Sequence, residues 1–267
     1  MGSGTLLPDS QRGAPAHWIE SGRAAVLLDC GSGTLRTLAW LGRRWDAVTH
    51  LVLSHFHTDH MGELAPLLFA LKHGLRRPRG EPLSLLGPPG LGERLQALSA
   101  AHGAFVLEPG FPLEIREIQP GSGWTDPGGD FHLQTLPTRH SEGSMAFRVE
   151  APAGALGYTG DTGPLPELGT FLRGCQAVVA ECSHPDGEGM DTHLTPSGLA
   201  ALAGTACPDL LIPVHVYPPL DPEQLPDLLA RAGYTGEVLP GRDGLAVRWE
   251  AGTVIVEEPP QGGLFSS

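Results

Sequence analysis

Seven consecutive residues, Ser54-His55-Phe56-His57-Thr58-Asp59-His60, carry three imidazoles and a carboxylate within six positions. Imidazole and carboxylate are borderline and hard ligands that suit Zn, Mn or Fe(II). The cluster directly follows the apolar run 48–53, and a buried strand ending there would hold the ligands rigidly. A chain with 12 His would contain H-x-H-x-D-H by chance roughly once in a thousand. The run therefore reads as a metal site and not as a His-rich surface loop. Two metals need about three protein ligands each and a bridging group. His140, Asp161 and His215 have the right chemistry, and each stands just beyond a strand-like run. Alone, each has an ordinary alternative: a hydrogen-bonded structural His, or a Gly-Asp-Thr turn.

The elements that must position these groups alternate between two periods. Apolar runs at 24–28, 48–53 and 83–86 read as strands, followed by helix-like segments at 34–41, 63–72 and 91–101. In the last of these, Leu91, Leu95, Leu98 and Ala101 recur at helical spacing. Short strands separated by Gly/Pro turns then follow at 113–118, 131–136, 146–150 and 156–159. Buried strands are expected at 177–180 and 210–214, and two β runs at 246–249 and 254–256. Thr195-Pro196 opens a helix with an N-cap and an N1 proline, and Asp221-Pro222-Glu223-Gln224 reads as a capping box. Two groups of strands with interspersed helices suit an α/β fold with a sheet-on-sheet core and helices outside, in one domain over 1–267.

The order His55-x-His57-x-Asp59-His60, His140, Asp161, His215 resembles the signature of the metallo-β-lactamase superfamily of dinuclear metallohydrolases. The resemblance implies an αββα sandwich of two mixed sheets. It implies that His55, His57 and His140 hold one divalent metal, that Asp59, His60 and His215 hold the second, and that Asp161 bridges them. Zn is the leading candidate for both ions, with Mn or Fe as alternatives.

Further segments narrow the branch: Gly2-Ser3-Gly4-Thr5, Leu28-Asp29-Cys30-Gly31-Ser32-Gly33-Thr34, Ala180-Glu181-Cys182-Ser183 and His193-Leu194-Thr195. Over nearly the whole chain the arrangement looks like ribonuclease Z and related metal-dependent phosphodiesterases. That branch implies attack of a metal-bridging hydroxide on phosphorus. Asp59 would hold a metal and orient the nucleophile, His193 would protonate the leaving alkoxide, and Glu181 would tune His193. Asp29 is expected to accept an N–H from a ligand His.

Three departures qualify the likeness. The twenty residues between His140 and Asp161 are consumed by two short strands, leaving no room for a tRNA-binding arm. Ala180 stands where the branch has a His before the Glu. The branch also places a strand ahead of the segment corresponding to Gly2-Ser3-Gly4-Thr5.

Composition bounds the partners. A net charge of -13 disfavours a large nucleic acid, so a small-molecule or short nucleotide phosphodiester is expected. The one basic cluster, Lys72 to Arg79, reads mainly as a solvated helix end. No apolar run reaches bilayer length, and Met1-Gly2-Ser3-Gly4 lacks an export signal. Four cysteines without C-x-x-C spacing fit a reduced, cytoplasmic protein. A homodimer is common in the resembled family. Loops 121–129 and 187–191 are expected to set selectivity. A lactone, ester or thioester hydrolase, a ribonuclease Z-type endonuclease and a non-catalytic metal scaffold remain alternatives.

Overall fold

The computed structural model describes residues 1–188 and 190–258 of the chain. Five strands form the first sheet: β1 (His17–Ser21), β2 (Ala24–Leu28), β3 (His50–Val52), β4 (Leu83–Gly87) and β5 (Leu113–Glu117), side by side in that order. β1 and β2 are antiparallel, and β2 to β5 run parallel. The parallel neighbours require crossovers. These contain α1 (Thr34–Trp40), the short α2 (Thr58–Met61) with α3 (Leu64–His73), and α4 (Leu91–His102).

The second sheet begins as an antiparallel meander of β6 (Gly123–Thr125), β7 (His132–Pro137), β8 (Met145–Ala151) and β9 (Gly154–Tyr158). It turns parallel through β10 (Ala177–Glu181) and β11 (Leu210–Val214), crossing by way of α5 (Pro166–Phe171) and α6 (Pro196–Ala206). α7 (Leu225–Arg231) and the hairpin β12 (Ala246–Glu250)–β13 (Thr253–Glu257) follow.

The period-two alternation of each strand builds the layers. Val26, Leu28 and Val52 face inward against Phe147, Val179, Ile212 and Val214 of the other sheet. Leu27, Leu51 and Leu53 point outward onto the α3 stripe Leu64, Leu67, Leu68 and Leu71. Val178, Ala180 and Leu211 do the same beneath Leu199, Leu202 and Ala203 of α6. Each fully buried Leu in these layers contributes roughly 2 kcal/mol of transfer free energy. The result is helices outside two face-packed mixed sheets, as expected.

Some local expectations differ. β1 was not legible, because His-Trp-Ile-Glu-Ser is an edge strand with no clean alternation; Gly2 meets its start through one antiparallel bridge to Ala16. The turn at Asp221 is a short 3₁₀ helix, Pro222–Gln224, in which the Asp221 carboxylate accepts from Glu223 N. The reciprocal capping box therefore does not form. Lys72 and His73 lie in the last turn of α3, as read, but Arg79 is not solvated. Its buried guanidinium donates to the carbonyls of Asp46, Val48, Glu81 and Pro82 and pins the loop before β4.

Candidate metal centre

Strands β2, β3, β9, β10 and β11 all end at one rim, and each delivers a polar residue at its end: Asp29, His55, Asp161, Glu181 and His215. β7 runs to the same edge and delivers His140. The loops are laced together by their backbones. Asp29 N donates to Val52 O, Cys30 N to His60 O, Met145 N to Ser54 O, and Gly163 N to Arg139 O. Asp29 and His215 turn back with φ of 56° and 57°, the sparsely populated left-handed region that clusters at functional sites. Gly160, at φ 53°, brings its backbone against Ser54, where a Cβ would lie 3.0 Å from Ser54 Cβ.

Ligand-type atoms of His55, His57, His140 and Asp161 lie within 4.8 Å of one another, as do those of Asp59, His60 and His215. Asp161 stands between the two groups: its Oδ1 is 3.3 Å from His60 Nε2, and its Oδ2 is 3.5 Å from His215 Nε2, 3.6 Å from His140 Nε2 and 3.9 Å from His55 Nε2. A third trio, Asp161, His193 and His215, meets the same distance.

The hydrogen bonds set the tautomers. Buried Asp29 accepts from Ser54 N at 2.7 Å, Ser54 Oγ at 2.8 Å, Tyr158 OH at 2.6 Å and His60 Nδ1 at 2.8 Å. His55 Nδ1 meets Ser54 Oγ at 3.0 Å, His140 Nδ1 meets the Thr192 carbonyl at 3.1 Å, and His215 Nδ1 meets Ser183 Oγ at 3.1 Å. Since Ser54 and Ser183 spend their protons on Asp29 and Glu181, each imidazole donates at Nδ1 and turns a bare Nε2 to the centre. His57 turns Nδ1 instead, 2.9 Å from His140 Nε2.

The residues fit cations. His55 Nε2 and His60 Nε2 are enclosed and meet no hydrogen-bond partner of good geometry, His60 Nε2 lying 3.3 Å from Asp161 Oδ1. Buried polar atoms are rarely left so. Burial pushes His55 well below the ordinary range for histidine. Burial also opposes a charge on His60, but the carboxylates of Asp161 and Asp29 outweigh it and hold His60 well above that range. Burial would raise Asp161, yet His60 and His215 hold its carboxyl well below the usual range.

The chain matches the Beta-lactamase superfamily domain over residues 24–216. It belongs to that superfamily. Ribonuclease Z of Mycobacterium sp. (strain KMS) is 28% identical over 251 residues, covering 87% of this chain and 88% of its own. Among solved structures, the metallo-beta-lactamase fold protein YhfI from Bacillus subtilis aligns with TM-score 0.79 at 22% identity, over 96% of this chain and 97% of that one. The short form of human tRNase Z aligns with TM-score 0.71 at 21% identity, over 91% and 95%. These two likenesses establish the metallo-β-lactamase architecture.

His55, His57, Asp59, His60, His140, Asp161 and His215 stand together at this rim. His193 lies beside it, its Nδ1 3.0 Å from Glu181 Oε1. Burial disfavours its charge, but the hydrogen bond and charge of Glu181 raise its pKa above the ordinary value. Glu181 also accepts from Thr162 N, Leu194 N and Ser183 Oγ, so its carboxylate is fixed. The arrangement can bind cations and offer a proton beside them.

Two expectations need correcting. Loop 121–129 contains β6, and its end at Asp126 contacts His50 at 3.4 Å, at the start of β3 and thus the far end from the metal loop. Loop 187–191 includes residue 189, which lies outside the described residues, but Asp191 does reach the rim, 3.0 Å from Arg139. His184, read as a flexible loop residue, stacks on Tyr217 at 5.3 Å between ring centroids. Sequence reasoning missed Ser54 and Ser183, the hydroxyls that orient three histidines. Their only signal was adjacency to the metal loop and to Glu181.

Proposed function

We propose that this metal-dependent hydrolase cleaves a small or single-stranded nucleotide-type phosphodiester. His55, His57 and His140 are assigned to one divalent cation, Asp59, His60 and His215 to a second, and Asp161 to the position between them. The observation that carries the reading is the pair of ligand groups meeting at Asp161, each with protein acceptors on its outer nitrogens. Bound there, two cations supply Lewis-acid polarisation of a phosphoryl oxygen and lower the pKa of a water. Zn is the foremost choice, and Mn or Fe(II) suit the same donors.

The chain's own residues do the rest. Asp59 keeps one carboxylate oxygen 3.3 Å from His215 Nε2 and can direct the attacking water with the other. Asp29 and Ser54 hold His60 and His55 in the metal-binding tautomer. His193, whose charge Glu181 favours, is placed to deliver a proton from Nε2 to the departing alkoxide. Glu181, fixed by four donors, cannot swing away to become a ligand itself.

The ribonuclease Z relatives favour a second reading, RNA endonuclease activity. Against it, the segment between His140 and Asp161 is spent on β8, β9 and the turn at 152–153, so it carries no arm for a large RNA. The net charge of -13 opposes such a partner too. Among the described residues no helix is long and apolar enough to cross a membrane. A cytoplasmic protein of one domain is the companion proposal.

The test is turnover of bis(p-nitrophenyl) phosphate by apo protein reloaded separately with Zn and Mn, beside a p-nitrophenyl ester and a lactone. Metal-dependent diester cleavage that His60→Ala abolishes supports the reading. Brisk lactone or ester opening without diester cleavage moves the chemistry to carbonyl carbon.

A further inference from the structure

The side of the rim that carries His193 is also aromatic. Tyr217 follows the ligand His215 by two residues, and its ring lies 5.4 Å from that of His215 and 6.5 Å from that of His193. The His184 ring lies nearly parallel to it, 5.3 Å away at 16°, and is itself 5.6 Å from His193. Both rings are half-buried. The Tyr217 hydroxyl is engaged by Thr5 and the backbone of Leu6, so the ring is fixed at its far end.

Two further observations set this patch apart from ordinary packing. Leu6, whose backbone meets the Tyr217 hydroxyl, is among the large apolar side chains left exposed, at 62%. His184 Nε2 is enclosed with no hydrogen-bond partner, a condition that calls for an explanation in a folded protein. Two half-buried rings, one with an unsatisfied imidazole nitrogen, thus flank the proton donor on one side.

We propose that His184 and Tyr217, with Leu6 at the edge, form the shelf for the base of a nucleoside, the group whose alkoxide leaves with the proton of His193. The inference rests on the phosphodiester reading and names its substrate class: a diester whose leaving group is a nucleoside. Aromatic rings hold a base by its π-face whatever its identity, at about 1–3 kcal/mol per stacked base. The shelf therefore selects for a base and not for a particular base. His184 and Tyr217 are specificity residues, distinct from the groups that bear on phosphorus.

The experiment measures binding of adenosine monophosphate and of ribose 5-phosphate to the metal-loaded protein by calorimetry, with diester turnover on the same preparation. The expected result is at least tenfold tighter binding of adenosine monophosphate. That ratio should collapse toward one in Tyr217→Leu, shrink in His184→Ala and survive in Tyr217→Phe, which keeps the ring. If Tyr217→Leu does not fold, the last two variants still decide: a ratio unchanged in His184→Ala overturns the shelf. Equal binding of the two ligands by the wild type also overturns it. Base-selective binding without diester turnover retains the shelf and removes the reaction; turnover without base selectivity does the reverse. Absence of both removes both.

Discussion

Asp29→Asn isolates the buried carboxylate behind the metal loop. Asn tolerates the left-handed backbone that Asp29 adopts at φ 56°, so the change acts through the side chain. Asp29 Oδ2 accepts from His60 Nδ1, Ser54 Oγ and Tyr158 OH, while among the described residues Oδ1 accepts from Ser54 N alone. The amide will place its oxygen at the three-donor position and set its NH₂ against Ser54 N–H. That leaves the Ser54 N–H and the facing amide NH₂ both without an acceptor, a penalty of about 1–3 kcal/mol or more, and weakens three charge-assisted bonds, offset in part by not burying a charge. The apo protein should lose about 1–3 kcal/mol in urea unfolding. Loss of an outer partner of a ligand His lowers metal affinity by about 10–100-fold. The effect should be larger at the His60 site than at the His55 site, which Asp29 reaches only through Ser54. Competition with a chromophoric chelator reads both affinities. If stability falls but both metal affinities stay within twofold of wild type, Asp29 serves the fold alone and the tautomer argument is refuted.

Other outcomes follow from the same geometry. Glu181→Gln removes the charge that raises His193, and a proton donor works only below its pKa; the alkaline limb of kcat should therefore move to lower pH, read from a pH–rate profile. An unmoved limb would exclude His193 as the acid. Gly160→Ala adds a Cβ 3.0 Å from Ser54 Cβ at a left-handed φ of 53°. It should cost about 1–2 kcal/mol in thermal unfolding and lower the metal content by displacing Asp161. Arg79→Met removes the donor of the buried Val48 carbonyl and of the more exposed carbonyls of Asp46, Glu81 and Pro82, and should cost about 1–3 kcal/mol by urea midpoint while the folded fraction keeps its metals.

Much of the centre was legible because its ligands concentrate where apolar runs end. A chain that alternates buried strand and loop brings such positions to one rim whatever the intervening sequence, so His140, Asp161 and His215 could be paired with the His loop. The strands of the core were legible for the same reason, since their apolar runs are uninterrupted. β1 and β6 were not, because an edge strand and a Gly-rich hairpin are held by their neighbours and not by their own pattern. The fixed guanidinium of Arg79 and the stacking of His184 on Tyr217 were invisible because the partners are set by tertiary contact. The Gly-rich stretch at 121–129 looked like a selectivity loop only because composition does not say which end of a strand a turn closes.

The most direct test titrates metal into chelator-stripped protein and follows diester turnover against equivalents bound. The account predicts activity that saturates at two ions per chain, with His60→Ala inactive and holding no more than one ion tightly. Saturation at one ion, or diester turnover that persists after stripping, would contradict it.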